Sequence, residues 1–285
     1  MEKCIITACS NRFFPSLLNL LGSIKANYPN HPKIYVYSLG LLPILKNELK
    51  NIAGVEVIDM PHFCAFWKKC YTWKTYIFTN PLSELNLFLD AGNEILMPLD
   101  EMFEQIENNG YFTVSQITKI KDIVPKEYGI IFKLTNEQRE KECIGSGIFG
   151  FNKHDNKIKM VLDDVFESAI CGLCLGYSAN EKYRNKGREK TFFTRNCDLF
   201  RHEQTMLNIF LNKHIDNYKI NSINKYAGSE PLDDNPKQLI WNLRRNSTRS
   251  KYTEEIFTNH NILKEILLGT FFILLSCKKF LKKII

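Results

Sequence analysis

The sequence lacks an apolar run long enough to cross a bilayer. The uncharged stretch between Glu265 and Lys278 holds about a dozen residues, whereas a spanning helix needs roughly 18 to 20. The N-terminal residues show no basic leader followed by an apolar stretch and a cleavage site, so we expect the protein not to be exported. Without export, we expect the nine cysteines to stay reduced and to act mostly as small core hydrophobes. The chain also has no internal repeat and no low-complexity tract.

The composition is that of a folded domain. The 285 residues are 44% hydrophobic and 12% aromatic, enough for one large α/β domain or for one domain with a small appendage. The net charge is +7, from 38 Lys and Arg against 31 Asp and Glu. A positive net charge is compatible with binding to nucleic acid, to anionic lipid or to a phosphorylated small molecule. The positions of the charged residues must decide among these partners.

The first half of the chain alternates strand-like and helix-like segments. Short apolar runs predict strands at residues 4–8, 34–38, 55–58 and 85–90. Helically spaced apolar residues predict a helix at 15–24. Residues 43–51 and the aromatic- and lysine-rich residues 65–78 are predicted to be helical as well. This rhythm predicts an α/β fold of the Rossmann type, with a mixed, mostly parallel sheet flanked by helices. We expect it to occupy residues 1–255.

The following segments are less regular. Residues 117–142 are polar and charged, which favours a surface excursion or a lid. Residues 171–200 form a long polar connection. Further strands are predicted at 111–114 and 144–151, and further helices at 97–107, 155–169 and 202–212.

The tail, residues 256–285, differs from the rest. Its apolar stretch is followed by four lysines, Lys278, Lys279, Lys282 and Lys283. On a helical wheel these lysines share one side with Lys264, a pattern typical of a helix lying on an anionic membrane surface. We therefore expect residues 262–285 to bind such a membrane. A core helix with a solvated basic end, or a dimer-forming helix, is the alternative.

A carboxylate ends the fourth predicted strand. Asp90 follows Leu85–Leu89, and open α/β sheets bind their ligands at the carboxyl ends of strands. One or two carboxylates there can hold Mg²⁺ or Mn²⁺ on a diphosphate. The alternative is an Asp that begins a turn with Gly92.

Three further segments carry candidate binding residues. Gly145, Ser146 and Gly147 allow a close backbone approach to a sugar or phosphate, although a bulge explains them too. His202, Glu203 and Gln204 open a predicted helix, where they suit either sugar hydroxyls or N-terminal capping. Arg244 and Arg245 follow Trp241, and their guanidinium groups match phosphate oxygens or form a solvated basic face.

The order of these segments resembles that of GT-A glycosyltransferases. More specifically, it resembles an uncharacterised glycosyltransferase-like family known largely from nematodes and other animals. The matching phrases are 37–41, 71–74, 89–91, the cysteines 171, 174 and 197, and 200–208. A more distant likeness is to the retaining galactosyl- and glucosyltransferases with Asp-x-Asp, Asn-Ala-Gly and Asp-Gln motifs. The likeness covers about residues 3–215.

The resemblance implies roles for the candidate residues. The nucleotide would be lined by Thr7, Ala8 and Ser10, and the metal ion would be held by Asp90. The leaving group would be stabilised by Lys74, Arg244 or Arg245. Glu203 would orient or deprotonate the acceptor, or support the front-face reaction of a retaining enzyme.

The chain also departs from the family pattern. Gly92 replaces the second metal-binding Asp, so Asn93 or Glu94 would substitute, or basic side chains would take the place of the metal. Glu203 replaces the usual Asp before Gln. The thiols of Cys171, Cys174 and Cys197 are expected to be free or paired, or to bind zinc with His202.

These observations predict a glycosyltransferase that moves a sugar from a nucleotide-sugar donor to an acceptor. The acceptor would be a lipid-linked glycan or polysaccharide, at the cytoplasmic face of the inner membrane of a bacterium that makes capsule or lipopolysaccharide. The alternative is a catalytically inactive scaffold protein of a polysaccharide-synthesis complex. A nucleic-acid partner is not expected, because the lysines are dispersed or lie in an apolar tail.

Overall fold

The computed structural model describes residues 1–176, 199–228 and 238–242, together with Tyr252. The strands are β1 (Lys3–Cys9), β2 (Lys33–Ser38), β3 (Val55–Asp59), β4 (Leu85–Leu89), β5 (Asn93–Ile95), β6 (Tyr111–Lys119), β7 (Glu142–Asn152) and β8 (Ile240–Asn242). The first five helices are α1 (Phe14–Asn27), α2 (Pro43–Lys50), α3 (Thr72–Thr79), α4 (Asp100–Asn109) and α5 (Ile120–Ile123). The next five are α6 (Lys126–Ile131), α7 (Asn136–Glu140), α8 (Asn156–Ile170), α9 (Glu203–His214) and α10 (Ile223–Tyr226).

Six strands form one mixed sheet in the order β3-β2-β1-β4-β7-β6. Strands β2 and β3 are parallel, with Ile34 opposite Val55, and β6 and β7 are antiparallel, with Tyr111 opposite Phe151. A second, two-stranded sheet pairs β5 with β8. The expected α/β class, with a mostly parallel sheet flanked by helices, is confirmed.

The chain divides into two compact units. The first comprises Met1–Ile5, Met60–Phe88 and Asp100–Ile223. Helix α8 packs on α3 and α9 in this unit. Its core contains an aromatic cluster around Phe78, whose ring centroid lies 5.1 Å from that of Phe149 and 5.4 Å from that of Phe88. Burying aromatic side chains of this size dominates the stability of a core.

The second unit comprises Ile6–Asp59, Leu89–Leu99 and Asn224–Ile285. Helix α1 begins with Pro15 in its first turn, where the fixed φ of proline suits a helix. The same helix fixes β5 by two side-chain hydrogen bonds. The Ser23 hydroxyl accepts from Ile95 N at 2.9 Å, and Asn27 Nδ2 donates to Ile95 O at 2.8 Å.

Two segments differ from the sequence prediction. The helix expected over residues 65–78 begins only at Thr72, because Cys70 and Tyr71 have left-handed φ angles of 51° and 58°. Residues 117–142 contain α5, α6 and α7, in which Ile123 and Tyr128 are buried, so this polar segment contributes to the core.

The predicted boundary at residue 255 and the tail 256–285 lie outside the described residues. Within the part of the chain that the structure describes, no helix is both long and apolar enough to cross a membrane.

Candidate active site

A buried ion pair lies in the first unit. Lys74, on α3, places Nζ 3.4 Å from Oε1 of Glu203, the first residue of α9. Ser146, on β7, donates its hydroxyl to the same Oε1 at 2.7 Å, and its carbonyl oxygen accepts from Lys74 Nζ at 3.2 Å. The side chains of Lys74 and Glu203 are only 2% and 4% exposed. Lys74, Ser146 and Glu203, three candidate residues from separate segments of the sequence, therefore meet in one hydrogen-bonded cluster.

Aromatic rings surround the lysine. Lys74 Nζ lies 5.1 Å from the ring centroid of Phe88, 5.5 Å from that of Tyr71 and 5.6 Å from that of Trp73. A desolvated ammonium group gains about 2 kcal/mol or more from such cation–π contacts. Together with Glu203 and the Ser146 carbonyl, these rings replace the water that the buried cation has lost.

The backbone is strained at two places beside this cluster. Cys70 and Tyr71 have φ angles of 51° and 58°, and His202 has a φ of 60° with a ψ of −123°. These are regions that non-glycine residues seldom occupy, and each costs roughly 1–3 kcal/mol. The rings of Tyr71 and His202 lie 6.0 Å apart, so the two strained segments adjoin. Strain of this kind is concentrated in functional sites.

The His202 imidazole is neutral and has a fixed tautomer. Nδ1 lies 3.0 Å from the carbonyl oxygen of Cys174, which can only accept, so the proton is on Nδ1 and Nε2 is an acceptor. Burial lowers the pKa of His202 to about 4, and the charge of Arg201 acts in the same direction. The hydrogen bond to Cys174 opposes both effects. The imidazole therefore presents an unprotonated nitrogen at neutral pH.

The thiols near this cluster are unreactive. Burial, followed by the charge of Glu203, raises the pKa of Cys70 to about 12 and that of Cys174 well above its usual value. Neither thiol is a thiolate at neutral pH, which argues against nucleophilic cysteine chemistry here. Cys171 is exposed, Cys197 lies outside the described residues, and the described residues contain no group of three or more potential metal ligands.

The Asp90 turn lies in the second unit. Asp90 is half-buried and directly follows β4, and its carbonyl oxygen accepts from Asn93 N at 3.1 Å and from Asn93 Nδ2 at 3.0 Å. Glu94 is buried, and its carboxylate accepts from Asn19 Nδ2 at 3.2 Å and from the Tyr252 hydroxyl at 2.6 Å. Glu94 thus has a structural role in this unit, and Asp90 is the more accessible carboxylate of the turn.

The remaining candidates fall into three groups. Thr7 and Ala8 are buried in β1, whereas Ser10 is half-buried and precedes a short 3-10 helix. In β7, a Cβ atom on Gly145 would lie 2.5 Å from Gln116 Nε2, so glycine here permits close packing of the Gln116 side chain. The last group comprises Gly92, Gly147 and Gln204, which are half-buried, and Arg244 and Arg245, which lie outside the described residues.

Tyr71 is a site residue that the sequence prediction missed. Its ring contacts those of Trp73 and His202. The sequence predicts a helix here because the segment is rich in aromatic residues and lysine. Nothing in the sequence signals the left-handed conformation, since neither Cys70 nor Tyr71 is a residue that favours it.

No protein-family model matches the chain, and no curated protein sequence matches it. Solved structures do. The bifunctional glycosyltransferase WbbM aligns with a TM-score of 0.50 and 12% identity, over 94% of this chain and 44% of WbbM. Mouse xyloside xylosyltransferase 1 aligns with a TM-score of 0.53 and 8% identity, over 85% and 97% of the two chains. The glycosyltransferase GlyE of Streptococcus pneumoniae TIGR4 aligns with a TM-score of 0.47 and 12% identity, over 85% of this chain and 54% of GlyE.

The first two likenesses show the fold of this chain. It is the GT-A-like α/β fold of these glycosyltransferases, with the mixed six-stranded sheet described above. The chain spans less than half the length of WbbM.

Proposed function

We propose that this protein is a glycosyltransferase that moves a sugar from a nucleotide-sugar donor to a hydroxyl group of an acceptor. The observation that carries the proposal is the position of Asp90. It is a half-buried carboxylate at the end of β4 in a GT-A-like sheet. Ligands of open α/β sheets bind at the carboxyl ends of the strands, where a carboxylate can support a diphosphate leaving group.

A divalent cation, Mn²⁺ or Mg²⁺, fits this position if the donor supplies most of its ligands. Glu94 is bound to Asn19 and Tyr252, and Gly92 has no side chain, which leaves Asp90 as the protein carboxylate for the ion. Mg²⁺ commonly uses one or two carboxylates plus phosphate oxygens and water. The ion would neutralise charge on the departing diphosphate. Lys74, Arg244 and Arg245, with Thr7, Ala8 and Ser10, remain the proposed donor contacts.

Glu203 is the proposed acceptor-side carboxylate. It starts α9, where the helix dipole favours a negative charge, and Lys74 and Ser146 hold its Oε1 in place. A carboxylate fixed in this way can orient an acceptor or stabilise positive charge that develops on the transferred sugar. His202, Gln204, Gly145 and Gly147 are proposed to border the sugar.

We also place the reaction at a membrane. The domain over 1–255 would carry the site, and residues 262–285 would hold it on the anionic cytoplasmic face of the inner membrane. The acceptor would then be a lipid-linked glycan or a polysaccharide. The support is the run of lysines beside an apolar stretch and the net charge of +7.

The first test combines donor binding with an Asp90 variant. Nucleotide sugars are screened by thermal shift with and without Mn²⁺, and the donor that stabilises the protein is used in a transfer assay. We expect metal to strengthen the shift, and Asp90→Ala to lower transfer about a hundredfold or more, because charge on the leaving group is no longer neutralised.

Asp163→Ala is the matched control, because Asp163 is an exposed aspartate on α8. It should leave both donor binding and transfer unchanged. Full transfer by Asp90→Ala would contradict the metal-site assignment, and the absence of a shift with every donor would contradict the proposed function itself.

Gly92 favours a second candidate, an inactive GT-A-like scaffold protein of a polysaccharide-synthesis complex. Glycine stands where the resembled family has its second metal-binding aspartate, so a metal site here would have one carboxylate fewer. A donor that binds tightly and is neither transferred nor hydrolysed would support the scaffold.

A further inference from the structure

A stripe of polar side chains on α1 contacts strand β5. Asn19, Ser23 and Asn27 recur every four residues, so they lie along one face of a helix that is otherwise largely apolar. Asn19 Nδ2 donates to Glu94 Oε2 at 3.2 Å. Ser23 and Asn27 bind the backbone N–H and carbonyl groups of Ile95. The helix therefore holds one side chain and the adjoining backbone of a three-residue strand.

The stability of the fold does not explain this network. Glu94 is 1% exposed and Ser23 is 0% exposed, so a carboxylate and a hydroxyl have been withdrawn from water. Well-packed apolar side chains in place of buried charged groups are often neutral or stabilising. A buried network of satisfied hydrogen bonds instead rigidifies the elements that it joins. The network thus fixes the position of β5.

Glu94 is also held from the C-terminal part of the chain. The Tyr252 hydroxyl donates to Glu94 Oε1 at 2.6 Å, across 158 positions of sequence. The Glu94 backbone pairs with Trp241 in β8. Each carboxylate oxygen therefore has a donor from a different part of the second unit, one from α1 and one from Tyr252.

Asn93 connects Glu94 to Asp90. Its backbone N and its side-chain Nδ2 both donate to the carbonyl oxygen of Asp90, at 3.1 and 3.0 Å. Asn93 is 1% exposed and pairs with Asn242 in β8. The backbone of Asp90 is thus bound by the residue that immediately precedes Glu94. A change in the position of Glu94 is therefore transmitted to the turn that carries Asp90.

We propose that Glu94 is a positioning residue of the metal site. Held between Asn19 and Tyr252, it fixes the turn from which Asp90 binds a divalent cation, and it is not itself a ligand. The metal ion rests on the proposed function. The inference deepens that function by making the affinity for the ion depend on Tyr252, a residue far from Asp90 in sequence.

The test measures Mn²⁺ binding to the full chain, with free Mn²⁺ followed by electron paramagnetic resonance. The probes are Mn²⁺ alone and Mn²⁺ with UDP, GDP or CDP. Asp90→Asn and Glu94→Gln make the same change from acid to amide. Asp90→Asn should weaken Mn²⁺ binding about a hundredfold or more, because a ligand is lost. Glu94→Gln should weaken it no more than about twofold, because an amide oxygen still accepts from Tyr252.

Tyr252→Phe removes the second hold on Glu94. It should weaken Mn²⁺ binding about three- to tenfold, somewhat less than the loss of a group bonded directly to a metal ligand. Tyr218→Phe is the matched control, because Tyr218 is also a buried tyrosine whose hydroxyl binds a side chain, accepting from Asn212 Nδ2 at 3.0 Å. It lies in the first unit and should leave Mn²⁺ binding unchanged, although both variants lose one hydrogen bond.

The outcomes separate this inference from the proposed function. The inference is overturned if the unmodified chain binds no Mn²⁺, if Glu94→Gln loses as much affinity as Asp90→Asn, or if Tyr252→Phe binds Mn²⁺ as tightly as Tyr218→Phe. The function survives each of these results as long as a nucleotide sugar is bound and transferred. Conversely, the expected pattern of Mn²⁺ binding without binding of any nucleotide sugar would keep the positioning role and contradict the transferase.

Discussion

At the scale of single residues, the ion pair of Lys74 and Glu203 positions a charged group and contributes little to the stability of the fold. Removing two charges from water costs several kcal/mol per ion, and their attraction roughly offsets this. By contrast, the pair formed by Lys46 and Asp59 at 2.9 Å is partly exposed, and such pairs contribute about 0–1 kcal/mol. Neither pair accounts for much net stability. The buried pair instead fixes the position of one carboxylate oxygen.

The His202 imidazole should make stability depend on pH. Its pKa is about 4 in the folded protein, against 6.5 for an unperturbed histidine. Between these values the unfolded chain binds a proton that the native chain does not, so the free energy of unfolding falls as the pH drops from 6.5 towards 4. The loss is roughly 3 kcal/mol at most, and it is absent above pH 6.5.

Urea denaturation at several pH values measures this effect. The loss between pH 7 and 4.5 should be smaller in His202→Gln than in the unmodified chain, whereas His62→Gln, which replaces an exposed imidazole, should keep the full loss. Equal pH dependence in all three proteins would show that His202 does not carry it.

The chemical types in the candidate site could be predicted from the sequence, but their contacts could not. Residue type and local spacing indicate Glu203 and Ser146 as candidates, and the two side chains are hydrogen-bonded across 57 positions. Lys74 reaches Ser146 across 72 positions. Periodicity and motif spacing describe neighbours along one element, so they contain no information about which elements meet.

At the scale of elements, Ile117 in β6 has a backbone conformation that is unfavourable for its residue type. It has a φ of 57° and is 70% exposed, so a β-branched side chain occupies a left-handed position without being buried. The strand register shifts around it, between Ser115 and Lys119. Ser115 Oγ accepts from Ile117 N at 3.0 Å, so the serine side chain anchors the irregularity through the Ile117 backbone and not through the Ile117 side chain.

Ile117→Gly should therefore stabilise the protein. Relief of about 1–2 kcal/mol of left-handed strain exceeds the added entropy of glycine in the unfolded chain, for a net gain of roughly 0.5–1 kcal/mol. Ile130→Gly is the control, because Ile130 is 77% exposed but lies within helix α6, where glycine destabilises. Thermal denaturation should shift the two variants in opposite directions. A lower Tm for Ile117→Gly would contradict the strain argument.

Elements with strong local signals were predictable, and those set by distant partners were not. Helix α1 was expected because Pro15 precedes leucines at helical spacing, and the structure places the helix at Phe14–Asn27. Strand β5 is only Asn93–Ile95, and it is a strand because β8 pairs with it. A three-residue strand has no period to read, so its partner defines it.

At the scale of the whole molecule, the net charge of +7 and the lysine-rich tail predict electrostatic membrane binding. We expect the full chain to sediment with phosphatidylcholine vesicles that contain roughly 30% phosphatidylglycerol, since each lysine near such a surface contributes about 1 kcal/mol. Binding should weaken with salt and disappear when residues 262–285 are removed.

Replacing Lys278, Lys279, Lys282 and Lys283 by glutamine tests the charges without removing the apolar residues. This variant should bind anionic vesicles as weakly as the unmodified chain binds pure phosphatidylcholine. Sedimentation of the truncated chain with anionic vesicles would refute the role of the tail.

The discontinuous second unit has a consequence for how the protein is made. Its first stretch, Ile6–Asp59, leaves the ribosome early, but β5 waits for β8, and Glu94 meets Tyr252 across 158 positions. The intervening residues 100–223 belong to the other unit, in which the contacting residues are separated by fewer positions in the sequence. Until residues beyond 240 emerge, strand β5 lacks its partner β8 and Glu94 lacks Tyr252. We therefore expect a nascent chain of this design to need protection from aggregation for longer than its size alone requires.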